Sequence, residues 1–161
     1  MSIEGGGRVR LHLSVFGLVV ALLGLVAAPA SADRLSGSSH GGRPLATELS
    51  GQNEVAPNAS AATGSAKFTV NSGLGEVCWV VSFSGLTTTA TAAHIHVAPA
   101  GANGPVVIPT PVPAVTSGEA EGCAVVDRSL AKAIKDEPAA YYHNVHTATF
   151  PGGEIRGQLH R

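Results

Sequence analysis

The amino-acid sequence predicts an all-β fold: an antiparallel, Greek-key-like β-sandwich with one short connecting helix. From Pro44 onward the chain breaks into short runs that alternate polar with apolar residues or are rich in β-branched and aromatic ones. Glycine, proline and asparagine separate these runs at the spacing typical of a sandwich. The runs are "LATELSG", "GSAKFTVN", "GEVCWVVSFSGL", "AAHIHVAP", "GPVVIPTP", "EAEGCAVVD", "AYYHNVHTA" and "GGEIRGQLH".

The N-terminal segment that precedes these runs is expected to be a signal peptide. Arg8 and Arg10 provide a basic start, "LSVFGLVVALLGLVAA" provides an apolar centre, and "ASA" provides a peptidase site with cleavage after Ala32. A transmembrane anchor is the alternative, but the apolar run is short and no basic cluster follows it. We therefore expect a secreted, extracellular protein. Its predicted organisation is a signal peptide at 1–32, a flexible Ser/Gly linker at 33–43 and one domain at 44–161.

Composition excludes several classes of function. The formal net charge is −1 at pH 7 and no basic stripe is present, which argues against nucleic acid and against anionic membrane surfaces as partners. No second hydrophobic segment follows the first, so we expect no stable membrane insertion after the signal peptide is removed. Cys78 and Cys123 are the only cysteines, and export to an oxidising compartment predicts that they form a disulfide.

One turn and one helix can be placed by their local sequence. "NSGLGE" at 71–76 is typical of a turn that joins two antiparallel strands. "RSLAKAIKDEP" at 128–138 is the single helical segment, with Asp127 or Ser129 as its cap and Pro138 as its end. Its predicted apolar face consists of Leu130, Ala133 and Ile134.

Strand parity separates the polar residues of three runs from the core. Side chains alternate between the faces of a strand, so Ile95, Val145, Ile155 and Leu159 are expected to face the core. The opposite, solvent-facing side would then collect His94, His96, Tyr142, Asn144, His146, Glu154, Arg156 and Gln158. His143 is separated from His146 by an odd number of positions, so it is expected on the opposite face of the strand.

Two interpretations of this polar face remain open. An antiparallel sheet commonly has one wet side, which polar residues fill as a hydrogen-bonded cluster. Alternatively, His94 and His96 reach one metal ion and His146 completes a three-histidine site suited to copper or zinc. In that case Glu154 and Arg156 either pair with charges on neighbouring strands or orient a histidine ring without contacting the metal themselves.

The sequence resembles the CHRD domain family, a chordin-type extracellular domain also found in secreted bacterial proteins. The matching segments are "ELSGQNEVAP", "GSAKFTV", "AAHIHVAPAGANGPVV" and "YYHNVHTATFPGGEIRGQL". The resemblance implies an extracellular β-sandwich without established catalytic activity, and it carries the family pattern onto His94, His96 and His146. The family usually shows an apolar residue at position 143, so His143 is a departure.

The resemblance favours a non-enzymatic extracellular binding module, whose partner is an unidentified extracellular ligand or a metal ion, and no catalytic residue is predicted. The alternative is a copper-dependent redox protein or metal carrier with a mononuclear site. The H-x-H strand is similar to the copper strand of copper/zinc superoxide dismutases. However, the zinc-ligand cluster of those enzymes has no counterpart after His96, where the chain continues "VAPAGANGPV".

Overall fold

The structure is a computed structural model that describes residues 41–161 of the chain. The predicted signal peptide, its cleavage after Ala32 and most of the predicted linker lie outside the described residues. The strands are β1 (Arg43–Ser50), β2 (Thr63–Asn71), β3 (Glu76–Ser84), β4 (Ala90–Val97), β5 (Val106–Pro109), β6 (Gly118–Val125), β7 (Tyr141–Thr147) and β8 (Ile155–Gln158). One α-helix, α1 (Arg128–Asp136), and 3-10 turns at Gly51–Asn53 and Pro138–Ala140 complete the described elements.

The eight strands form one sheet in the order β5-β4-β7-β8-β1-β2-β3-β6, and every pairing is antiparallel. The β8–β1 pairing is short, consisting of Ser50 opposite Arg156, with an isolated bridge from Ala46 to His160 beside it. This narrow junction divides the sheet into two four-stranded halves. The all-β prediction is confirmed. The two layers of the predicted sandwich correspond to the two halves of a single, nearly closed sheet.

A common apolar core contains residues from both halves of the sheet. Ile95, Val145 and Ile155 are fully buried, and Leu159 is 1% exposed, as strand parity predicts. The other half contributes Phe68 and Val81, which are also fully buried, together with Trp79 and Phe83. Burial of such side chains stabilises the fold by about 1.5–3 kcal/mol each.

The helix α1 packs against β2 and β3. Its buried residues are Ala131 and Ile134, whereas Ala133 is exposed, so the predicted apolar face was wrong at that position. Ala131 and Ile134 are three residues apart and therefore adjacent on the helix surface, and this pair turns toward the core. Among the described residues, no helix combines the length and apolar character needed to span a membrane.

Cys78 and Cys123 form the predicted disulfide. The two residues are directly opposite each other in the register of β3 and β6. The bond therefore ties an edge strand of the sheet to its neighbour. It lies in the half of the sheet that does not contain His94, His96 or His146.

Candidate metal centre

The polar residues of β4 and β7 share the face that strand parity predicts, but most of this face is not in contact with solvent. Tyr142 is 2% exposed, and Asn144 and Arg156 are each 1% exposed. His96 is 8% exposed, whereas His94 is only half-buried. The expectation of a wet outer face was therefore wrong.

Two loops cover this face. Within the first, which runs from 51 to 62, the Asn53 amide donates to the backbone oxygen of Arg156 at 3.0 Å. The second runs from 98 to 105, and Gln158 Nε2 donates to the oxygen of Ala98 at 2.7 Å. Sequence reasoning missed this cover because alternation along a strand does not reveal the path of a distant loop.

Glu154 lies apart from the histidines. Its fully buried carboxylate accepts bonds from the Ser60 hydroxyl at 2.6 Å and from Thr147 Oγ1 at 2.7 Å. It also accepts from the backbone N–H of Thr87 at 2.8 Å and from the Thr87 hydroxyl at 3.0 Å. Burial raises the pKa of Glu154, but these hydrogen bonds together lower it by more, so the net shift is downward. Within residues 41–161, the carboxylate therefore ties Ser60 and Thr87 to the end of β7, and its hydrogen bonds do not reach an imidazole.

The structure brings His94, His96 and His146 together. One ring nitrogen from each lies within 4.8 Å of the other two. His94 Nδ1 and His146 Nε2 are 3.2 Å apart, and the centroids of the His94 and His96 rings are separated by 5.5 Å. The β4–β7 register makes this meeting across strands possible, because His146 is paired with Ala92, two residues before His94.

Backbone carbonyls select the tautomers of two of these histidines. His96 Nδ1 lies 2.9 Å from the Gly104 oxygen, and His146 Nδ1 lies 3.0 Å from the Pro151 oxygen. A carbonyl only accepts hydrogen bonds, so each Nδ1 carries the proton and each Nε2 carries a lone pair, which in His146 faces His94 Nδ1 at 3.2 Å. The Nε2 atom of His96 is buried and has no hydrogen-bond partner. Histidines that ligate metals are oriented by this kind of contact.

The surroundings of the cluster lower the pKa values of His94 and His146. Burial, together with the neighbouring His146 and His96, lowers the pKa of His94 to about 4. Burial also lowers the pKa of His146, although its bond to Pro151 acts in the opposite direction. His94 and His146 are therefore neutral at pH 7, which is the form that binds metal ions.

The ligand set fits copper or zinc. His94 Nδ1 and His146 Nε2 are 3.2 Å apart, at hydrogen-bond distance. This separation is also close to the roughly 3.3 Å between two nitrogens that are bound at about 2.0–2.1 Å to a tetrahedral ion. Imidazole nitrogen suits copper and zinc, whereas calcium and magnesium prefer oxygen ligands, and the cluster contains only histidines. The partly exposed His94 leaves a side from which an ion or a fourth ligand can approach.

His143 lies on the core face, away from these three residues, as its parity predicts. It is fully buried, and its Nε2 lies 2.9 Å from the hydroxyl of Thr110, itself 0% exposed. Burial lowers the pKa of His143 to about 3, with the nearby histidines contributing in the same direction. Thr110 could not be identified as its partner from the sequence, because the two residues are 33 positions apart.

Glu54 is a second residue that sequence reasoning missed. Glu54 is 8% exposed. Its carboxyl group packs against the backbone of Gly153, where an added Cβ atom would lie only 2.2 Å from Glu54 Oε1. Burial raises the pKa of Glu54 to about 7, against the opposing effect of Arg156. The residue lines a cleft of about 240 Å³ together with Asn58, Asn103 and residues 149–153. A lone glutamate within a polar loop gives no sequence signal of such burial.

Fold and site together define a class of protein: an antiparallel β-sandwich with a three-histidine cluster on one half of its sheet. The CHRD domain family matches residues 45–159, which is most of the 161-residue chain, and the chain therefore belongs to that family. The resemblance seen in the sequence is confirmed. Neither a curated protein nor a solved structure matches the chain.

Proposed function

We propose that this CHRD domain protein is an extracellular binding module that holds one copper or zinc ion through His94, His96 and His146. The single observation that carries the proposal is the buried, unpartnered Nε2 of His96 within a group of ring nitrogens that lie 4.8 Å or less from one another. A buried polar atom without a partner is costly. A bound cation would supply that partner.

Secretion is part of the proposal. It is supported by the signal-like composition of residues 1–32 and by the disulfide between Cys78 and Cys123, since disulfides persist in oxidising compartments. We expect the protein from the culture medium of a secreting host to begin at Asp33, as measured by intact mass spectrometry. A secreted chain that still carries its first 32 residues would contradict the predicted cleavage.

Calorimetric titration of the metal-free protein with Cu²⁺ and with Zn²⁺ tests the metal site. We expect one ion per chain with micromolar or tighter affinity, and no binding in His96→Ala or His146→Ala. His160→Ala is the matched control, because His160 is exposed near the C-terminus and outside the cluster. Electron paramagnetic resonance of the copper form should show nitrogen ligands. Absence of binding at micromolar metal would leave the cluster as a structural one.

The redox alternative is supported by a different observation, the partial exposure of His94. A catalytic metal site keeps one coordination position open, and the exposed side of His94 provides access to such a position. Superoxide dismutation by the copper-loaded protein tests this alternative. Turnover that persists when a chelator removes free copper, and that is lost in His96→Ala, favours a redox enzyme, whereas binding without turnover favours the module.

A further inference from the structure

Arg156 is a charged side chain in an unusual position. It is 1% exposed, and its guanidinium forms no salt bridge within residues 41–161, where the ion pairs involve lysines. Its Cζ atom instead lies 3.3 Å from the ring centroid of Tyr142. Because an unpaired buried charge is costly, the arrangement of its other partners is informative.

Tyr142 stands between Arg156 and His96. The rings of His96 and Tyr142 are stacked, with centroids 4.6 Å apart and an angle of 6° between their planes. The strand of Tyr142, β7, lies between β4 and β8 in the sheet. His96 and Arg156 therefore contact opposite faces of the tyrosine ring, and the three side chains form one continuous stack.

Arg156 also holds the loop from 98 to 105. Its Nη2 donates to the oxygen of Ala102 at 2.8 Å and to that of Pro99 at 3.3 Å. Its Nη1 donates to Asn103 Oδ1 at 3.3 Å. The bonds to Ala102 and Asn103 lie immediately before Gly104 in the chain, so they constrain the residue whose carbonyl selects the His96 tautomer.

Gly104 connects this loop to the histidine and to the stack. Its oxygen accepts from His96 Nδ1 at 2.9 Å, and its N–H donates to the Tyr142 hydroxyl at 3.4 Å. A Cβ at this position would lie 1.8 Å from the Val97 oxygen, so the loop approaches β4 as closely as the backbone permits. The loop and the stack thus reach the same imidazole from two directions.

We propose that Arg156 is a positioning residue for the metal centre, which fixes the ring plane of His96 through Tyr142 and its tautomer through the 98–105 loop. The effect on metal binding rests on the proposed function. A planar guanidinium stacks on an aromatic ring while its several N–H groups donate in the plane. A lysine ammonium does not combine these contacts, so arginine is specifically required.

Arg156→Lys tests the proposal because it retains the charge. We expect its Zn²⁺ affinity to fall by about 10–100-fold, the effect typical of residues that orient metal ligands, while far-ultraviolet circular dichroism stays unchanged. The control is Arg161→Lys, at an exposed arginine that donates to the Asp136 oxygen. A folded Arg156→Lys protein with an affinity within about threefold of the parent would overturn the proposal.

Nitrogen-15 spectra of the metal-free protein provide a readout that does not depend on metal. We expect the proton of His96 to be on Nδ1 in the parent, and a mixture of tautomers in Arg156→Lys. If the parent binds no metal, the proposed function fails. If the His96 tautomer is unchanged in the variant, the positioning role fails.

A second pair of variants applies if Arg156→Lys does not fold. Tyr142→Phe retains the stacked ring but loses the hydroxyl that accepts from the Gly104 N–H, so its Zn²⁺ affinity should fall less than that of a variant without the ring. Tyr142→Leu removes the ring between His96 and Arg156 and should bind about tenfold more weakly. Equal affinities in these two variants would also overturn the proposal.

Discussion

Glutamine at position 154 would remove one buried charge while it preserves side-chain shape. Its amide oxygen must occupy the Oε1 site, because the Thr87 N–H, 2.8 Å from Oε1, cannot reverse its direction. The NH₂ group then faces the hydroxyls of Thr87 and Thr147, which can rotate to accept. The contacts survive as neutral bonds, each about 1 kcal/mol weaker than a bond to a charged group. Relief of the buried charge offsets part of this loss, and we expect Glu154→Gln to destabilise by about 2–3 kcal/mol.

Urea unfolding at pH 7 with the disulfide intact measures this difference in the free energy of unfolding. Glu121→Gln is the matched control, because Glu121 is exposed on β6, and it should change stability by less than about 0.5 kcal/mol. The pKa of Glu154 is lowered, so its contribution is present above its unfolded pKa near 4.5 and is lost as the pH falls. The stability gap should therefore narrow in acid. A gap below about 0.5 kcal/mol at pH 7 would refute the reasoning.

Three further predictions concern the core and the disulfide. His143→Leu leaves the Thr110 hydroxyl without its partner and should cost about 1–3 kcal/mol in urea unfolding, whereas adding Thr110→Val should recover much of that loss. The pKa of His143 is lowered to about 3, so the parent should lose stability as the pH falls below about 6.5. This loss should be steeper than in His143→Leu. Parallel plots of unfolding free energy against pH for the two proteins would contradict this expectation. Replacing Cys78 and Cys123 by alanine opens a link across a sequence separation of 45 and should cost up to about 4 kcal/mol, with a loss under 1 kcal/mol contradicting the estimate.

The strand pattern and the shared face of the histidines are predictable because both follow from local alternation. Ile95 and Val145 have apolar neighbours at period two, so their burial can be read from a few residues. The same rule places His94, His96 and His146 on one side of their strands. Their meeting additionally requires β4 and β7 to be adjacent, which alternation alone does not specify.

Burial of the polar face was not predictable, because long-range contacts produce it. The bond from Asn53 to the backbone of Arg156 joins residues 103 positions apart, and no local pattern specifies that distance. Tyr142 and Arg156 are polar or charged by type and were therefore expected in solvent. Their burial depends on the two loops that cover this face, and the burial of Glu54 depends on them as well.

The proton-bearing nitrogens of His96 and His146 are held by Gly104 and Pro151, which lie in connections between strands. Connections of this kind accumulate substitutions and insertions faster than the strands they join. If the proposed function holds, a related protein can keep all three histidines and still lose metal affinity through changes in these two connections. Retention of the H-x-H strand is thus an incomplete indicator of metal binding. The connections that contain Gly104 and Pro151 are equally informative positions to compare among relatives.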